Sequence, residues 1–238
     1  MKTILFFSFV LTLFIHSQKE INKEFNTKQL IVVTTDGWNK INGIMNAYEL
    51  KGNKWVLVLK DIPIVTGRSG LAWGKGLHYP YLNKGKLKKE GDGNAPAGIF
   101  YLSGLFGYEN ILSRMNSLKV DKKNFCVDDT RSAYYNKIVN TDTVKKDWKS
   151  AETMRMKSDA YKYGIFVDYN VNPVEAGKGS CIFMHIWSSS TSPTAGCTAM
   201  TEANILKLIA FLDKKKNPVL LQVPKSEYQK LKRSYKLP

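Results

Sequence analysis

Two residues in the last quarter of the chain have side chains suited to nucleophilic catalysis. Cys197 follows Gly196, and His185 lies twelve residues earlier, in the run GSCIFMHIW. A cysteine attacks as its thiolate, and a nearby imidazole both favours that ion and shuttles the thiol proton. Gly196 permits backbone conformations closed to other residues, so amides near Cys197 can point together at a developing oxyanion. The pair predicts acyl transfer if the Ser/Thr/Pro-rich loop between the two residues folds back.

The same two residues also have an ordinary structural interpretation. A lone histidine on a strand is more often packed or exposed than catalytic, and a lone cysteine often acts as a small apolar side chain. The other histidines fit catalysis less well, because His16 lies in an apolar amino-terminal segment and His78 in a Gly/Tyr/Pro-rich loop.

The amino terminus predicts export. A lysine is followed by an apolar run at 4–15, which is too short to span a bilayer, and Ser17 then precedes a polar segment. We expect a cleaved signal peptide over residues 1–17 and a periplasmic or secreted mature protein. A buried helix and an uncleaved anchor are the alternatives.

Export would place the three cysteines in an oxidising compartment, where disulfides form. An odd number in an oxidising compartment predicts one disulfide and one reserved thiol. If Cys126 and Cys181 pair, the bridge closes a loop that stabilises the fold by about 4 kcal/mol on a chain-entropy model. That pairing leaves Cys197 free. Three unpaired buried thiols are the alternative.

Short runs of branched and aromatic residues bounded by Gly, Pro, Asn or Asp predict strands. They occupy 29–35, 55–67, 97–102, 163–169, 180–187 and 218–223. A helix is predicted after Thr201, a candidate N-cap, because apolar residues recur at helical spacing up to Leu212, and Lys214 to Lys216 would complete its last turn. Further helices are predicted over 145–161 and 226–236. We expect one mainly β domain over 18–238 with accessory helices.

Two motifs point to a family. The stretch from His185 to Thr194-Ala195-Gly196-Cys197 resembles the active-site motif of the L,D-transpeptidase (YkuD-type) catalytic domain, which has a His at a strand end and a Ser/Thr-His-Gly-Cys loop. EGDGNAPAGIF at 90–100 resembles the family's GDGxTPxG-F stretch, and VTGRSGLAWGKG at 65–76 resembles the hairpin before it. Ala195 replaces the family's usual His, Ile186 replaces a Gly, and 105–161 is an insert that we predict to be helical.

The resemblance implies a β-sandwich-like fold and an exported cysteine acyltransferase acting on peptidoglycan stem peptides, with no metal or organic cofactor. Cys197 would attack an amide carbonyl beside a D-centre, and His185 would act as base and then as acid. The amides of Ala195, Gly196 and Cys197 would hold the oxyanion. An amine acceptor would give a cross-link, whereas water would make the enzyme an L,D-carboxypeptidase or hydrolase. A catalytically silent wall-binding module is the remaining alternative.

Further candidates surround the pair. Those for substrate contact are Trp187, Tyr163, Arg155 and Thr194; an arginine can bind a stem-peptide carboxylate through two hydrogen bonds. The leading candidate to orient His185 through its second nitrogen is Asp168. Alternatives for that role are Asp128, Asp129, Asn170 and a main-chain carbonyl. Aromatic residues in strands are more often part of the core, and an arginine often faces solvent.

The charge of the chain favours anionic surroundings. Thirty-six Lys and Arg against 20 Asp and Glu give a net charge of +16, while 43% hydrophobic and 24% charged residues exclude a disordered or collagen-like chain. The lysine clusters lack interleaved aromatic residues, so nucleic acid is not expected as a partner. We expect weak, salt-sensitive adhesion to an anionic wall polymer or membrane surface.

Overall fold

The computed structural model of the protein describes residues 19–78 and 85–238, so the predicted signal peptide at 1–17 lies outside the described residues. The strands are β1 (Gln29–Thr35), β2 (Asn42–Lys51), β3 (Lys54–Val65), β4 (Leu71–Trp73), β5 (Ala95–Gly107), β6 (Ser117–Lys119), β7 (Asn124–Val127), β8 (Ile138–Asn140), β9 (Ala151–Thr153), β10 (Tyr163–Val167), β11 (Phe183–Ile186), β12 (Thr198–Met200) and β13 (Val219–Pro224). The helices are α1 (Ile21–Glu24), α2 (Glu202–Phe211) and α3 (Lys225–Ser234), with 3-10 turns at Asp159–Tyr161 and Lys214–Lys216. In these ranges no helix is long and apolar enough to cross a bilayer.

The larger sheet closes on itself. Its strands follow the order β10-β11-β12-β3-β2-β1-β13-β5, and β10 pairs with β11 on one side and with β5 on the other. The short strands β4 and β6 add to β5, while β8, β7 and β9 form a separate small sheet in that order. The mainly β class predicted from the sequence is confirmed.

Alternating side chains along the central strands separate two cores. Ile31 and Val33 of β1 pack inside the closed sheet, together with apolar side chains of α2. Leu30 and Val32 of the same strand face the opposite side, where α1 and α3 cover them. Burying such an aliphatic side chain contributes about 1.5–3 kcal/mol to the stability of the fold. A slip of the strand by one residue would move every side chain to the opposite face, so burial on both faces fixes the register. Met184 of β11 and Met200 of β12 pack into the same inner core, which supports the strands next to the site.

The predicted carboxyl-terminal helices are confirmed, with one correction. The Thr201 hydroxyl caps α2 by accepting the Asn204 amide proton at 3.2 Å, and α3 covers the predicted tail. However, α2 ends at Phe211, because Leu212 is extended, and Lys214–Lys216 forms a separate 3-10 turn capped by Asp213. These lysines therefore do not complete the last turn of α2.

The prediction of a helical insert is wrong. The segment 105–161 contains the end of β5, the strands β6 to β9 and the 3-10 turn, but no α-helix. In the predicted helix at 145–161, Ala151–Thr153 instead pairs with β7, which is itself tied by a disulfide between Cys126 and Cys181 to the segment before β11. Long-range pairing has overridden a weak local preference for helix.

Candidate active site

Parallel pairing of β11 with β12 places the candidate nucleophile beside the strand that bears His185. His185 lies opposite Ala199, and Cys197 immediately precedes β12. The Phe183 amide donates to Cys197 Sγ at 3.3 Å, and the thiol donates to the Cys181 carbonyl at 3.5 Å. Cys197 is a free cysteine and is buried. The loop predicted to fold back does so.

Thr194 holds the nucleophile loop in shape. Its hydroxyl donates to the Cys197 carbonyl at 2.7 Å and accepts from the Gly196 amide at 3.1 Å. Its own amide donates to the Thr66 carbonyl at 3.0 Å, which attaches the loop to the end of β3. Residue 196 has little room for a side chain, because a Cβ there would lie 3.0 Å from the Asn94 carbonyl oxygen. The GDGN stretch and the nucleophile loop are thus packed backbone to backbone.

The hydrogen bond from Gly196 corrects the predicted oxyanion site. An amide engaged with the Thr194 hydroxyl does not point at a substrate oxygen. The oxyanion role predicted for the amides of Ala195, Gly196 and Cys197 therefore stays a prediction for Ala195 and Cys197 alone. Ala195 is exposed and lines both cavities next to the thiol, which suits a donor that must meet substrate.

Cys197 and His185 share a cavity of about 280 Å³. His185 Nδ1 donates to the Ile186 carbonyl at 2.8 Å, which leaves Nε2 as the ring nitrogen able to accept a proton. Trp187 and Thr194, two of the residues predicted to contact substrate, also line this cavity. Its remaining lining is largely apolar or hydroxylic: Thr153, Met156, Ala160, Tyr161, Ile186, Ser188, Ser192 and Pro193, with the Glu152 carboxylate at its inner side.

A second, more highly charged cavity of about 140 Å³ meets the first at Cys197. Its cations are Arg68 and Lys88, and its carboxylates are Glu90, Asp128 and Glu152. Lys88 is 6% exposed and pairs with Asp92 at 3.1 Å, whereas Asp128 Oδ1 is buried with no hydrogen-bond partner in the described part of the chain. Cys197, Ala195 and Glu152 line both cavities, so the thiol stands at their junction.

Both members of the pair are neutral at rest. Burial raises the pKa of Cys197 to about 12, with the Glu152 carboxylate as the next cause, against smaller opposing effects from the Phe183 amide, Lys88 and Tyr161. Burial also lowers the pKa of His185 below its ordinary value. The thiol is therefore far less acidic than the imidazolium. The resting pair is a thiol beside a neutral imidazole, and not the thiolate that the sequence favoured.

Tyr161 links the groups around the thiol. Its hydroxyl donates to Glu152 Oε2 at 2.6 Å, and its ring meets the His185 ring edge-on with centroids 5.2 Å apart. Glu152 lies on β9, opposite Cys126 of β7. Burial raises the pKa of Glu152, and the carboxylates of Asp128 and Glu90 act in the same direction, against the hydrogen bond from Tyr161.

The prediction that Asp168 orients His185 is wrong. Asp168 accepts a hydrogen bond from the Ser103 hydroxyl and lines a different cavity, together with Lys214 and Asn217. The cavity lined by Asp168 shares no residue with the cavity that contains His185. The Ile186 carbonyl accepts the hydrogen bond from His185 Nδ1 instead. This is the main-chain alternative expected from the sequence.

Two predicted substrate contacts also lie outside both cavities. The Arg155 guanidinium stacks 4.0 Å from the centre of the Tyr108 ring and donates to the Tyr108 carbonyl at 3.4 Å. Tyr163 packs at the edge of the inner core, with the Lys162 ammonium over its ring. Local interactions hold both side chains away from the thiol.

The other acidic and amide candidates do not contact His185 either. Asp128 lines the charged cavity. Asp129 accepts from the Arg131 and Lys149 amides, and so shapes the loop that carries it. Asn170 is fully buried and donates to the Glu175 and Gly179 carbonyls. Their roles in the structure are therefore to line the second cavity or to fix loops.

Four residues of the site escaped sequence reasoning. Arg68 lies within the hairpin motif at 65–76 and Lys88 lies just before the Gly-rich motif at 90–100, so those motifs were the available signal. Tyr161 and Glu152 lie in the segment predicted to be helical, where nothing local indicated a site. Pairing of β9 with β7 and the 3-10 turn before β10 bring them to the thiol.

Comparison with known proteins gives the family. The model of the L,D-transpeptidase catalytic domain (YkuD) matches residues 44–221, which include His185 and Cys197. The chain belongs to this family of enzyme domains, whose members act on peptidoglycan peptides, and the resemblance predicted from the motifs is confirmed. The mainly β architecture agrees with the family's sandwich-like fold.

A solved structure is also similar to this chain: the helical cell shape determining protein Pgp2 from Campylobacter jejuni, with 15% identity, a TM-score of 0.41 and coverage of 82% of this chain. The chain spans 48% of that protein's length. A search of curated proteins found no match.

Proposed function

We propose that the protein is an exported L,D-transpeptidase that transfers a peptidoglycan stem-peptide acyl group through Cys197 to an amine. The observation that carries the proposal is the position of the free thiol at the junction of two cavities. One cavity contains His185 and apolar lining, which suits the acyl donor. The other contains three carboxylates beside Arg68 and Lys88, and the carboxylates in this mixed lining would bind the ammonium group of an acceptor.

The first half-reaction forms a thioester. Cys197 Sγ attacks the donor carbonyl while His185 Nε2 takes the thiol proton, because a neutral imidazole is the base at hand. A C–S bond forms, and the negative charge moves to the carbonyl oxygen, where the amides of Ala195 and Cys197 would stabilise it. Collapse breaks the C–N bond, and the imidazolium gives its proton to the departing amine.

The second half-reaction reverses these steps with a new amine. The acceptor ammonium would be held beside Asp128 and Glu152 and lose a proton to His185. The neutral amine then attacks the thioester carbonyl, a C–N bond forms and the C–S bond breaks. The imidazolium gives its proton to the departing sulfur, and His185 then takes the second proton from the attacking nitrogen and releases it to solvent. If water enters instead, the product is a shortened stem, so the same site supports the carboxypeptidase alternative.

Muropeptide analysis tests the proposal. The purified chain lacking residues 1–17 is incubated with tetrapeptide and pentapeptide stems, and the products are resolved by mass spectrometry. We expect dimers with the wild type, none with Cys197→Ala, and unchanged dimers with Ser190→Ala, an exposed residue of the same loop. Shortened stems without dimers would favour hydrolysis. No product from any stem would contradict the enzymatic proposal and favour a wall-binding module.

Export and wall adhesion remain part of the proposal. The net charge of +16 supports attraction to anionic wall polymer or lipid, and the short apolar run at 4–15 supports a cleaved signal. Fractionation of cells making the full chain tests the location. Recovery of uncleaved protein in the cytoplasm would contradict it.

A further inference from the structure

A buried tyrosine contacts both members of the candidate catalytic pair. Tyr161 is 4% exposed and lies in the same apolar cluster as Cys197. It also lines the cavity shared with His185, against whose ring it packs. Its hydroxyl already donates to Glu152 at 2.6 Å. The polar end of Tyr161 is therefore directed into the site rather than into the core.

The phenol has one proton and two neighbouring groups that can accept it in a hydrogen bond. Glu152 Oε2 accepts it at 2.6 Å, and the Cys197 sulfur lines the same cavity and packs in the same apolar cluster as Tyr161. A hydrogen bond from Tyr161 would lower the pKa of the Cys197 thiol. At rest the sulfur is a neutral thiol and a weak acceptor, so the Tyr161 hydroxyl donates its hydrogen bond to the Glu152 carboxylate instead. When the sulfur becomes negatively charged, it competes for the same proton, because hydrogen bonds to charged groups are the stronger ones.

We propose that Tyr161 is a catalytic residue whose hydroxyl turns from Glu152 to the Cys197 sulfur as negative charge appears there, and that Glu152 is the positioning residue that governs this turn. The inference rests on the proposed acyl transfer through Cys197. No covalent bond changes at Tyr161; its O–H stays intact and only its acceptor changes.

The surrounding charges make Glu152 suited to this role. The groups facing the sulfur are His185 from β11, Lys88 from the loop before β5, Glu152 from β9 and Tyr161. Asp128 and Glu90 act in turn on Glu152 and, with burial, raise its pKa. A protonated Glu152 can donate to the phenol oxygen, which leaves the phenol proton free for the sulfur. An ionised Glu152 keeps accepting the hydrogen bond from the phenol, and its negative charge also repels a thiolate.

The two residues should therefore affect thiol reactivity in opposite directions. Second-order rate constants for iodoacetamide at Cys197 are measured at about pH 8.5 without reductant, so that the disulfide stays closed. Tyr161→Phe removes a hydrogen bond to the thiolate and should raise the pKa of Cys197 by about one unit. Alkylation should slow only about threefold, because the smaller thiolate fraction is partly offset by the greater nucleophilicity of a more basic thiolate. Glu152→Gln removes a repelling charge and should accelerate alkylation about threefold.

Tyr108→Phe provides the matched control. It removes another hydroxyl from the same cluster, one that donates to the Ser158 carbonyl at 2.7 Å. We expect its alkylation rate to equal that of the wild type. In the transfer assay Tyr161→Phe should lower kcat about tenfold with little change in KM, as for a bond made only at the charged stage. Circular dichroism and thermal melting confirm that each variant is folded.

Equal rates for the wild type and Tyr161→Phe, or changes in the same direction for Tyr161→Phe and Glu152→Gln, would overturn the inference. The alkylation readout needs no peptidoglycan substrate. If Cys197→Ala abolishes transfer while Tyr161→Phe alkylates normally, the proposed function stands and the inference fails. If alkylation changes as expected but no stem peptide reacts, the hydrogen bond from Tyr161 to the thiolate stands and the proposed function fails.

Discussion

The neutral resting state of Cys197 and His185 makes a quantitative prediction about thiol reactivity. With a pKa of about 12, about one Cys197 in 10⁴ is ionised at pH 8, compared with about a quarter of ordinary cysteines. Forming the thiolate at that pH costs about 5 kcal/mol. The buried thiolate is more nucleophilic, which recovers a factor of about 40. Without substrate, Cys197 should react roughly 50- to 100-fold more slowly than a free thiol.

The perturbation that separates the two resting states is His185→Gln. In an ion pair the imidazolium would hold the thiolate, so its removal would sharply slow alkylation. With a neutral pair, the imidazole contributes little before substrate binds, so the alkylation rate should stay nearly the same while acyl transfer is lost.

The assay follows carbamidomethylation of Cys197 by mass spectrometry between pH 6 and pH 10, next to a small-molecule thiol and to protein unfolded in urea. Unfolding should restore ordinary reactivity, because burial is the main cause of the raised pKa. Reaction as fast as the free thiol near pH 7, with an inflection below pH 8 that disappears in His185→Gln, would refute a neutral pair.

Three further predictions concern the framework and surface of the site. Thr194→Val removes the hydroxyl that bonds the Cys197 carbonyl and the Gly196 amide. It should lower the free energy of unfolding, measured in urea, by about 1–3 kcal/mol and should also reduce kcat. The control Thr191→Val, at an exposed residue, should change neither quantity. Replacing both Cys126 and Cys181 by Ser opens a bridge across 55 residues and should cost about 4 kcal/mol in the same assay; a loss below about 1 kcal/mol would contradict the chain-entropy argument. Pelleting with anionic wall polymer should decrease between about 0.05 and about 0.5 M salt, and pelleting independent of salt would exclude adhesion through the net charge.

Local patterns predicted much of the scaffold. The strand at 29–35 and the helix after Thr201 were identified with nearly correct bounds, because their apolar periodicity and capping residue act over a few positions. Outside the insert, the strand pattern missed β2, β4 and β12. Much of β2 is half-buried with polar residues on both faces, and β4 and β12 have three residues each, too short to show a period.

The insert shows where local reasoning fails. At 145–161 no capping pair or apolar stripe fixes a helix, so pairing of β9 with β7 and the Cys126–Cys181 bridge decide its conformation. Tyr161 and Glu152 reach the thiol only through this pairing. No spacing along the chain could have related them to Cys197, since contacts between distant segments depend on the assembled sheets.

The sequence alone determined the family and the strand-rich class and indicated the candidate catalytic pair, because the Gly-Cys loop, the strand-borne His and the branched runs are local features. Tertiary structure decided the ionisation of the pair, the carbonyl that orients His185 and the charges that line the second cavity. The physical reason is that pKa values and hydrogen-bond partners depend on burial and on groups brought together from far along the chain. A residue type can indicate which chemistry is available, but only its packed surroundings determine the state in which that chemistry begins.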